Sequence, residues 1–455
     1  MNRVRVTPEQ VDHYNKPGPR YTSYPTVPVW SHSFGESDYL AALAAVAARP
    51  EDTLSVYVHL PFCAERCAYC GCNGTVTRHA RVVDSYLDRV EREIALVAPH
   101  LGGRRQVVQL HWGGGTPNFL NAEQTRRLVG MLDAAFDIDR DGRTGEVSVE
   151  MDPRVGNRAQ LELYRELGFN RVSFGVQDID PKVQVAIDRI QPFEQTAALY
   201  HASRELGFTS VNIDLVYGLP YQTAAVFGRT LDAISKLRPD RLACFSYAHL
   251  PRVLPNQKRV DAAGLPQPYE KFGLFQQAVE QMTDAGYDWI GFDHFALSED
   301  EMAVAARERR LHRNFMGYAT KPAPHMVAFG MSSIGDLGGS FTQNDHGLGR
   351  YQKSIDAGRL PVVRGMKLTE DDRRRRAAIM HLMCNLELPF SMAYDDATNE
   401  AFGRVAAFAD EGLVVVERNR LVVTDLGRYF IRVLGMELDA HLAHTAGRPV
   451  FSKTV

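Results

Sequence analysis

The segment HLPFCAERCAYCGCN, His59–Asn73, gathers four of the chain's six cysteines, Cys63, Cys67, Cys70 and Cys72, within ten residues. The remaining two, Cys244 and Cys384, stand far away in the 455-residue chain. Thiolates are soft ligands that select iron–sulfur clusters, zinc or cuprous ions, so cysteines crowded into one loop point to a metal or redox centre rather than to packing. Structural zinc sites usually join two ligand pairs separated by about a dozen residues or more, and no second pair occurs here. A disulfide knot fits poorly as well. The N-terminal MNRVRVTPEQVDHYNKPGPR has no apolar signal core, and few cysteines in a long chain suit a reducing compartment, so we expect a cytoplasmic protein.

Composition sets further limits. A length of 455 residues with 45% hydrophobic residues is ordinary for a globular enzyme of a few domains. No run approaches the roughly 18 apolar residues of a membrane span. A formal net charge of −3 gives no global attraction to nucleic acid or anionic lipid. The run Arg373–Arg376 follows Glu370, Asp371 and Asp372, which reads as a solvated, self-paired helix face rather than an RNA-binding patch. Nothing suggests an obligate partner helix, and a monomer is the expectation.

Outward from the cysteine loop, short β-branched runs alternate with longer amphipathic segments, the rhythm of a parallel sheet covered by helices. The pattern predicts strands at Leu54–His59, Val107–Trp112, Glu146–Met151, Arg171–Gly175, Ser210–Val216, Arg241–Phe245 and Asp288–Phe292. Helices are predicted at Val82–Val97, Glu123–Phe136, Leu161–Leu167, Phe193–Leu206, Ala224–Leu237 and Tyr269–Ala285. Cysteines follow the first strand, Gly113-Gly114-Gly115-Thr116 the second and Asp152-Pro153-Arg154 the third. Such signals at C-terminal strand ends favour a barrel over a doubly wound sheet. We therefore expect an α/β fold: an N-terminal arm and helix over 1–50, a partial (β/α) TIM-type barrel over 51–360, and a small helical, winged-helix-like domain over 361–455. Its helices are placed near Asp371–Leu386, Ala401–Glu411 and Gly427–His444, with a hairpin turning at Arg418–Asn419. A packing or lid role suits it better than DNA binding, because the local charge is mixed.

Several polar residues interrupt apolar strands. The glycine run fits either a tight turn or a backbone that approaches a ligand at the cysteine loop. His111 and Trp112 fit packing at a strand end as well as function. Glu150 and Asp214 sit within EVSVEM and VNIDLVYG, where a carboxylate needs a hydrogen-bonding partner, whether a neighbouring loop or a ligand. Gln177 poses the same choice, and Arg189 fits either pairing with Asp188 or binding a ligand carboxylate.

The spacing C-x3-C-x2-C, with aromatic Tyr69 before the third thiol, resembles that of radical S-adenosylmethionine (SAM) enzymes. In that class three thiolates hold a [4Fe-4S] cluster whose fourth iron is left open for SAM. Over nearly its whole length the chain is similar to the oxygen-independent coproporphyrinogen III dehydrogenase family. The resemblance rests on GPRYTSYPT (Gly18–Thr26), YVHLPFC…CAYCGCN (Tyr57–Asn73), HWGGGTP (His111–Pro117), VEMDPR (Val149–Arg154), GFNRVSFGVQD (Gly168–Asp178), NIDLVYGLP (Asn212–Pro220), YAHLP (Tyr247–Pro251), GFDHFA (Gly291–Ala296) and HRNFMGY (His312–Tyr318). It implies a radical SAM oxidoreductase of porphyrin and haem biosynthesis that oxidatively decarboxylates two propionates of coproporphyrinogen III to vinyl groups, giving protoporphyrinogen IX. One SAM would be consumed per propionate, and an electron donor and an acceptor, both unidentified, would be partners.

By the same resemblance Cys63, Cys67 and Cys70 are the iron ligands, and Cys72 sits beside the cluster. A first SAM would touch Tyr57, Gly114, Glu150 and Ile334. A second would lie against Tyr69, Gly115, Thr116, Gln177, Arg189, Asp214 and Ala248. A substrate with four carboxylates calls for cationic groups in the pocket, and Arg20 and Arg313 are the candidates. Tyr57, Cys72, Arg20 and Arg313 are thus the residues expected nearest the chemistry. Tyr69 stands where relatives can have phenylalanine and Met316 where they can have glutamine, and Thr320–Ser333 matches only loosely. Two other functions share the general pattern: a haem carrier, against which Cys72 and Arg20 speak, and a radical SAM methyltransferase or haem-opening enzyme.

Overall fold

The computed structural model describes residues 4–321, 323–445 and 451–454. Strands β1 (Leu54–Leu60), β2 (Arg105–Gly114), β3 (Glu146–Met151), β4 (Arg171–Gln177), β5 (Ser210–Tyr217) and β6 (Arg241–Ser246) pair in parallel, each with the next. Helices Ala80–Val97, Ala122–Ala135, Arg158–Glu166, Phe193–Glu205 and Ala224–Leu237 alternate with them. Local chemistry fixes where these helices begin. The Asn121 side chain accepts from Gln124 N at 2.9 Å while Gln124 accepts from Asn121 N, and Thr223 accepts from Val226 N at 3.3 Å. Along the strands Val147, Val149 and Met151, then Val172, Phe174 and Val176, then Val211, Ile213 and Leu215 join one core with the helices. With a period of two, Ser148, Glu150, Ser173, Asn212 and Asp214 turn to the opposite, interior face.

The seventh predicted strand differs. Tyr287–Ile290 (β7) turns back into His294–Leu297 (β8), which pairs antiparallel with both β7 and β6. The chain reverses at Gly291, whose φ is +56° and whose Cβ, if present, would lie 1.7 Å from the Tyr318 hydroxyl, so the run cannot continue through Phe292 as a strand. The parallel set gains its seventh member elsewhere: β9 (His325–Phe329) returns beside β1, followed by antiparallel β10 (Ile334–Leu337), β11 (Ser340–Asn344) and β12 (Val362–Lys367). The strand path runs from β7 to β12 without joining its ends, a partial barrel.

The C-terminal domain contains helices Glu370–Asn385 and Asp396–Ala407 and the predicted hairpin, Val414–Val416 with Arg420–Val423, to which Glu387–Pro389 adds a third strand. Where one last helix is predicted there are two short ones, Asp425–Tyr429 and Ile431–Met436. They break at Phe430 (φ −112°, ψ 16°), whose ring is wedged against Tyr14 at 4.5 Å and Phe272 at 6.0 Å. The arginine run is self-paired at three positions, Arg373 and Arg374 with Glu370 and Arg375 with Asp371, but only half solvated, since Arg375 also reaches the Leu438 carbonyl and Arg376 pairs with Asp336 under the Phe341 ring. The N-terminal arm belongs to this domain's core, through Val11, Tyr14, Tyr21 and Tyr24. Among the described residues no helix is long and apolar enough to cross a membrane.

Glu93, fully buried in helix Ala80–Val97, ties that helix to the end of the barrel. It accepts from Gly330 N at 2.8 Å, Asn344 Nδ2 at 2.6 Å and the Tyr351 hydroxyl at 2.6 Å. Since all three partners are donors, Glu93→Gln would turn an amide N–H2 toward a donor. The expected loss is about 2 kcal/mol of stability, the usual cost of one unsatisfied buried polar group, read as a lower urea midpoint.

Candidate active site

The cysteine loop is held by its backbone. Gly115 N donates to Leu60 O at 2.8 Å and Thr116 N to Phe62 O at 2.9 Å, so the ends of β1 and β2 zip together. Ala68 N reaches Ile187 O at 2.9 Å, and Asn256 Nδ2 donates to the carbonyls of Ala68 and Cys70 at 3.0 and 2.9 Å. The glycine run serves this close approach. A Cβ on Gly114 (φ +119°) would come within 2.6 Å of the His59 ring, and one on Gly115 within 2.6 Å of the Pro61 backbone. Protein, not ligand, fills the space left by those missing side chains, although Gly114 and Gly115 still border the cavity.

That cavity, of about 580 Å³, opens at the C-terminal ends of the strands. Cys63, Cys67, Cys70 and Cys72 line it with Tyr69, Gly114, Gly115, Thr116, Glu150, Gln177, Arg189, Asp214, Ala248 and Arg20. Three of the predicted residues lie off its wall. The Tyr57 ring stacks on His111 at 6.0 Å, and its hydroxyl meets His59 Nδ1 at 3.1 Å. Ile334 packs in the cluster of Trp30, Phe341 and Leu368. Arg313 is sandwiched over Phe292 and Tyr318, at 4.8 and 4.5 Å from the ring centres, and borders a separate cavity against the C-terminal domain. Of the two residues left open at the end of β2, Trp112 is core, edge-on to Phe169 at 4.9 Å, while His111 bridges Ser148 and Glu150.

Each sulfur has a polar neighbour. Thr116 Oγ1 donates to Cys63 Sγ at 3.2 Å and Cys72 N to Cys70 Sγ at 3.4 Å. Cys67 Sγ faces two guanidiniums, Arg154 at 3.4 Å and Arg189 at 3.6 Å, which Asp152 holds together at 2.7 and 3.1 Å. Arg189 does not pair with Asp188, which is taken by Arg259. The sequence marks Asp152 and Arg154 only as polar punctuation after β3; MDPR at a strand end was the available signal. Burial pushes the Asp152 carboxyl up, yet the two guanidiniums more than reverse this and leave it below its ordinary value. Burial raises the Cys63 thiol to about 11, and the Cys72 contact draws Cys70 down.

The carboxylates divide. Burial raises Glu150, but bonds from His111 at 3.2 Å and Gly114 N at 3.2 Å outweigh it and hold Glu150 below its usual range. Burial, and then the charge of Glu150, lift Asp214 to about 6, although Asn212 and Ser173 donate to it at 2.7 and 3.1 Å. Two carboxylates on one wall suit ribose hydroxyls and an ammonium. The donor set also fits a cluster. Among the described residues no three His, Cys, Asp or Glu side chains converge for a single metal ion, whereas a cubane asks for separate thiolates around a cavity, with N–H and O–H donors at their sulfurs.

Comparison with known proteins agrees. The Radical SAM superfamily model matches residues 57–234 and the HemN C-terminal domain model residues 368–430. The chain is 43% identical to the oxygen-independent coproporphyrinogen III oxidase of Escherichia coli over 98% of this chain and 97% of that one. It is 40% identical to the Pseudomonas aeruginosa enzyme of the same name over the full length of both. The solved E. coli coproporphyrinogen III oxidase (HemN), described as a radical SAM enzyme, superposes with a TM-score of 0.89 over 93% of this chain and 97% of that one. With a matching barrel, a matching C-terminal domain and this identity end to end, the chain belongs to the oxygen-independent coproporphyrinogen III oxidase family.

Proposed function

We propose that this protein converts coproporphyrinogen III to protoporphyrinogen IX without oxygen, as a cytoplasmic, monomeric step of haem biosynthesis. The observation that carries the reading is one cavity with the C-x3-C-x2-C thiols and the Arg20 guanidinium on its walls. Cys63, Cys67 and Cys70 would hold a [4Fe-4S] cluster, and two molecules of SAM would occupy the cavity. When bound, cluster and SAM together supply a 5′-deoxyadenosyl radical that removes a hydrogen atom from a propionate β-carbon. Every other role falls to side chains.

Arg154 and Arg189 place positive charge at Cys67 Sγ. Glu150, Asp214 and Gln177 offer acceptors to SAM, and Thr116, Tyr69, Gly115 and Ala248 shape the wall beside them. Cys72 lies next to the ligands without being one. Tyr57 and His111 act from behind the wall by setting Glu150, and Ile334 closes the barrel edge rather than facing the cavity. Arg20 presents its guanidinium to substrate carboxylates. Arg313 donates to the Arg20 carbonyl at 3.4 Å and so acts as a positioning residue. A half-closed barrel capped by the arm keeps water from a reactive radical. Release of each carboxyl group as carbon dioxide leaves one electron, which an acceptor from outside must take.

Reconstituted anaerobically and given SAM, a reductant and coproporphyrinogen III, the protein is expected to form two vinyl groups with release of 5′-deoxyadenosine and methionine. Cleavage of SAM without a vinyl product would refute the reading, and haem uptake without turnover would favour a carrier. Cys67→Ser is expected to abolish the charge-transfer absorbance of the cluster near ~400 nm, the band of thiolate-ligated iron. Cys72→Ser is expected to keep its iron and lose turnover. Equal iron loss in both variants would show that all four thiolates bind.

A further inference from the structure

Lys271, in PYEKFGLFQQ, lies near the start of helix Pro268–Asp284. The fold turns it inward. Its stem lies across Gly218 (φ +84°), where a Cβ would come within 2.8 Å of Lys271 Cε. Its ammonium donates at 3.0 Å to the carbonyl of Tyr247, a residue of the cavity wall. The same ammonium lies 5.9 Å from the centre of the Tyr217 ring.

The surroundings are cationic. Burial lowers the Lys271 ammonium to about 8, and the charges of Arg20, Arg432 and Lys453 push in the same direction. Arg432 is occupied by the carbonyls of Gly18, Pro19 and Lys453. Arg20 has an unpartnered Nε, and Arg313 an unpartnered Nε and Nη1, among the described residues. Asp293 is the carboxylate facing this corner. It binds His294 at 2.7 Å and reaches Arg20 only at 3.7 Å, and Arg313 also acts on it. Arg20, Arg313 and Arg432 share Asp293, and Lys271 adds a further cation beside Arg20 and Arg432, a set that an anion would complete.

We infer that Lys271 and Arg20 together bind one propionate carboxylate of the tetrapyrrole, and so help fix which side chain reaches the cysteine loop. The inference rests on the function proposed above. Arg20 offers a planar fork and Lys271 a point charge, and the two come from different elements, so a carboxylate between them is held from two directions. Lys271 adds to the recognition set a residue that no sequence motif marks.

The test titrates the reconstituted protein with coproporphyrin III, the stable oxidised form of the substrate, and with its tetramethyl ester in the same detergent buffer. Lys271→Met is expected to weaken binding of the tetracarboxylate about tenfold, as loss of one charged hydrogen bond predicts, to leave the ester unaffected, and to raise KM for coproporphyrinogen III. Lys271→Arg should recover most of the loss, and Arg20→Gln should repeat the pattern from a separate element. Unchanged binding by Lys271→Met, or an equal loss for the ester, overturns the inference while native turnover of coproporphyrinogen III leaves the proposed function standing. A native protein that neither binds nor oxidises the tetrapyrrole overturns both.

Discussion

A parallel sheet that turns polar side chains toward its own interior must find a partner for each of them, and this constraint organises the molecule. It is met differently at the two ends of the barrel. At the end away from the cysteines, Ser55 donates to Gln109 at 2.9 Å, Gln109 to Glu146 at 3.2 Å, Glu146 pairs with Arg171 at 3.0 Å, and Arg241 with Asp300 at 2.8 Å. Charges there close on one another and form a plug; removing one partner of a buried pair typically costs about 3–5 kcal/mol. At the other end the same alternation delivers His111, Glu150, Ser173, Asn212 and Asp214, which bond to their neighbours while Glu150 and Asp214 also border the cavity. The boundary between scaffold and site is where internal pairing stops.

The cysteine loop obeys a related rule. Its backbone is tied to the ends of β1 and β2 and to Ile187 and Asn256, so the thiols do not depend on a metal alone for their placement. The Arg154–Asp152–Arg189 group beside Cys67 is a self-neutralising arrangement with surplus positive charge directed at a sulfur.

Much of this was legible in the sequence because it follows from period and punctuation. Apolar alternation with cysteines, glycines and MDPR at successive strand ends is enough to place β1 to β6 and the cavity above them. The rest depends on contacts between distant residues. The reversal at Gly291 answers to the Tyr318 ring, the break at Phe430 to Tyr14 and Phe272, and the seventh parallel strand, His325–Phe329, lies in a stretch that matches the family only loosely. Arg313 is named by a motif but buried between two rings, whereas Lys271 has no motif and is turned inward onto the Tyr247 carbonyl just past β6. Helical spacing reports which face a residue occupies, not what the tertiary fold brings against it.

The pinning of the arm orders events during synthesis. Arg20 leaves the ribosome about four hundred residues before the groups that hold its backbone, Arg432 on Gly18 and Pro19 and the bridge from Lys453 to Pro17. Translation must reach Lys453 before that clasp can form. A nascent barrel can thus assemble its thiol loop while Arg20, on the wall of the cavity above it, is still unframed.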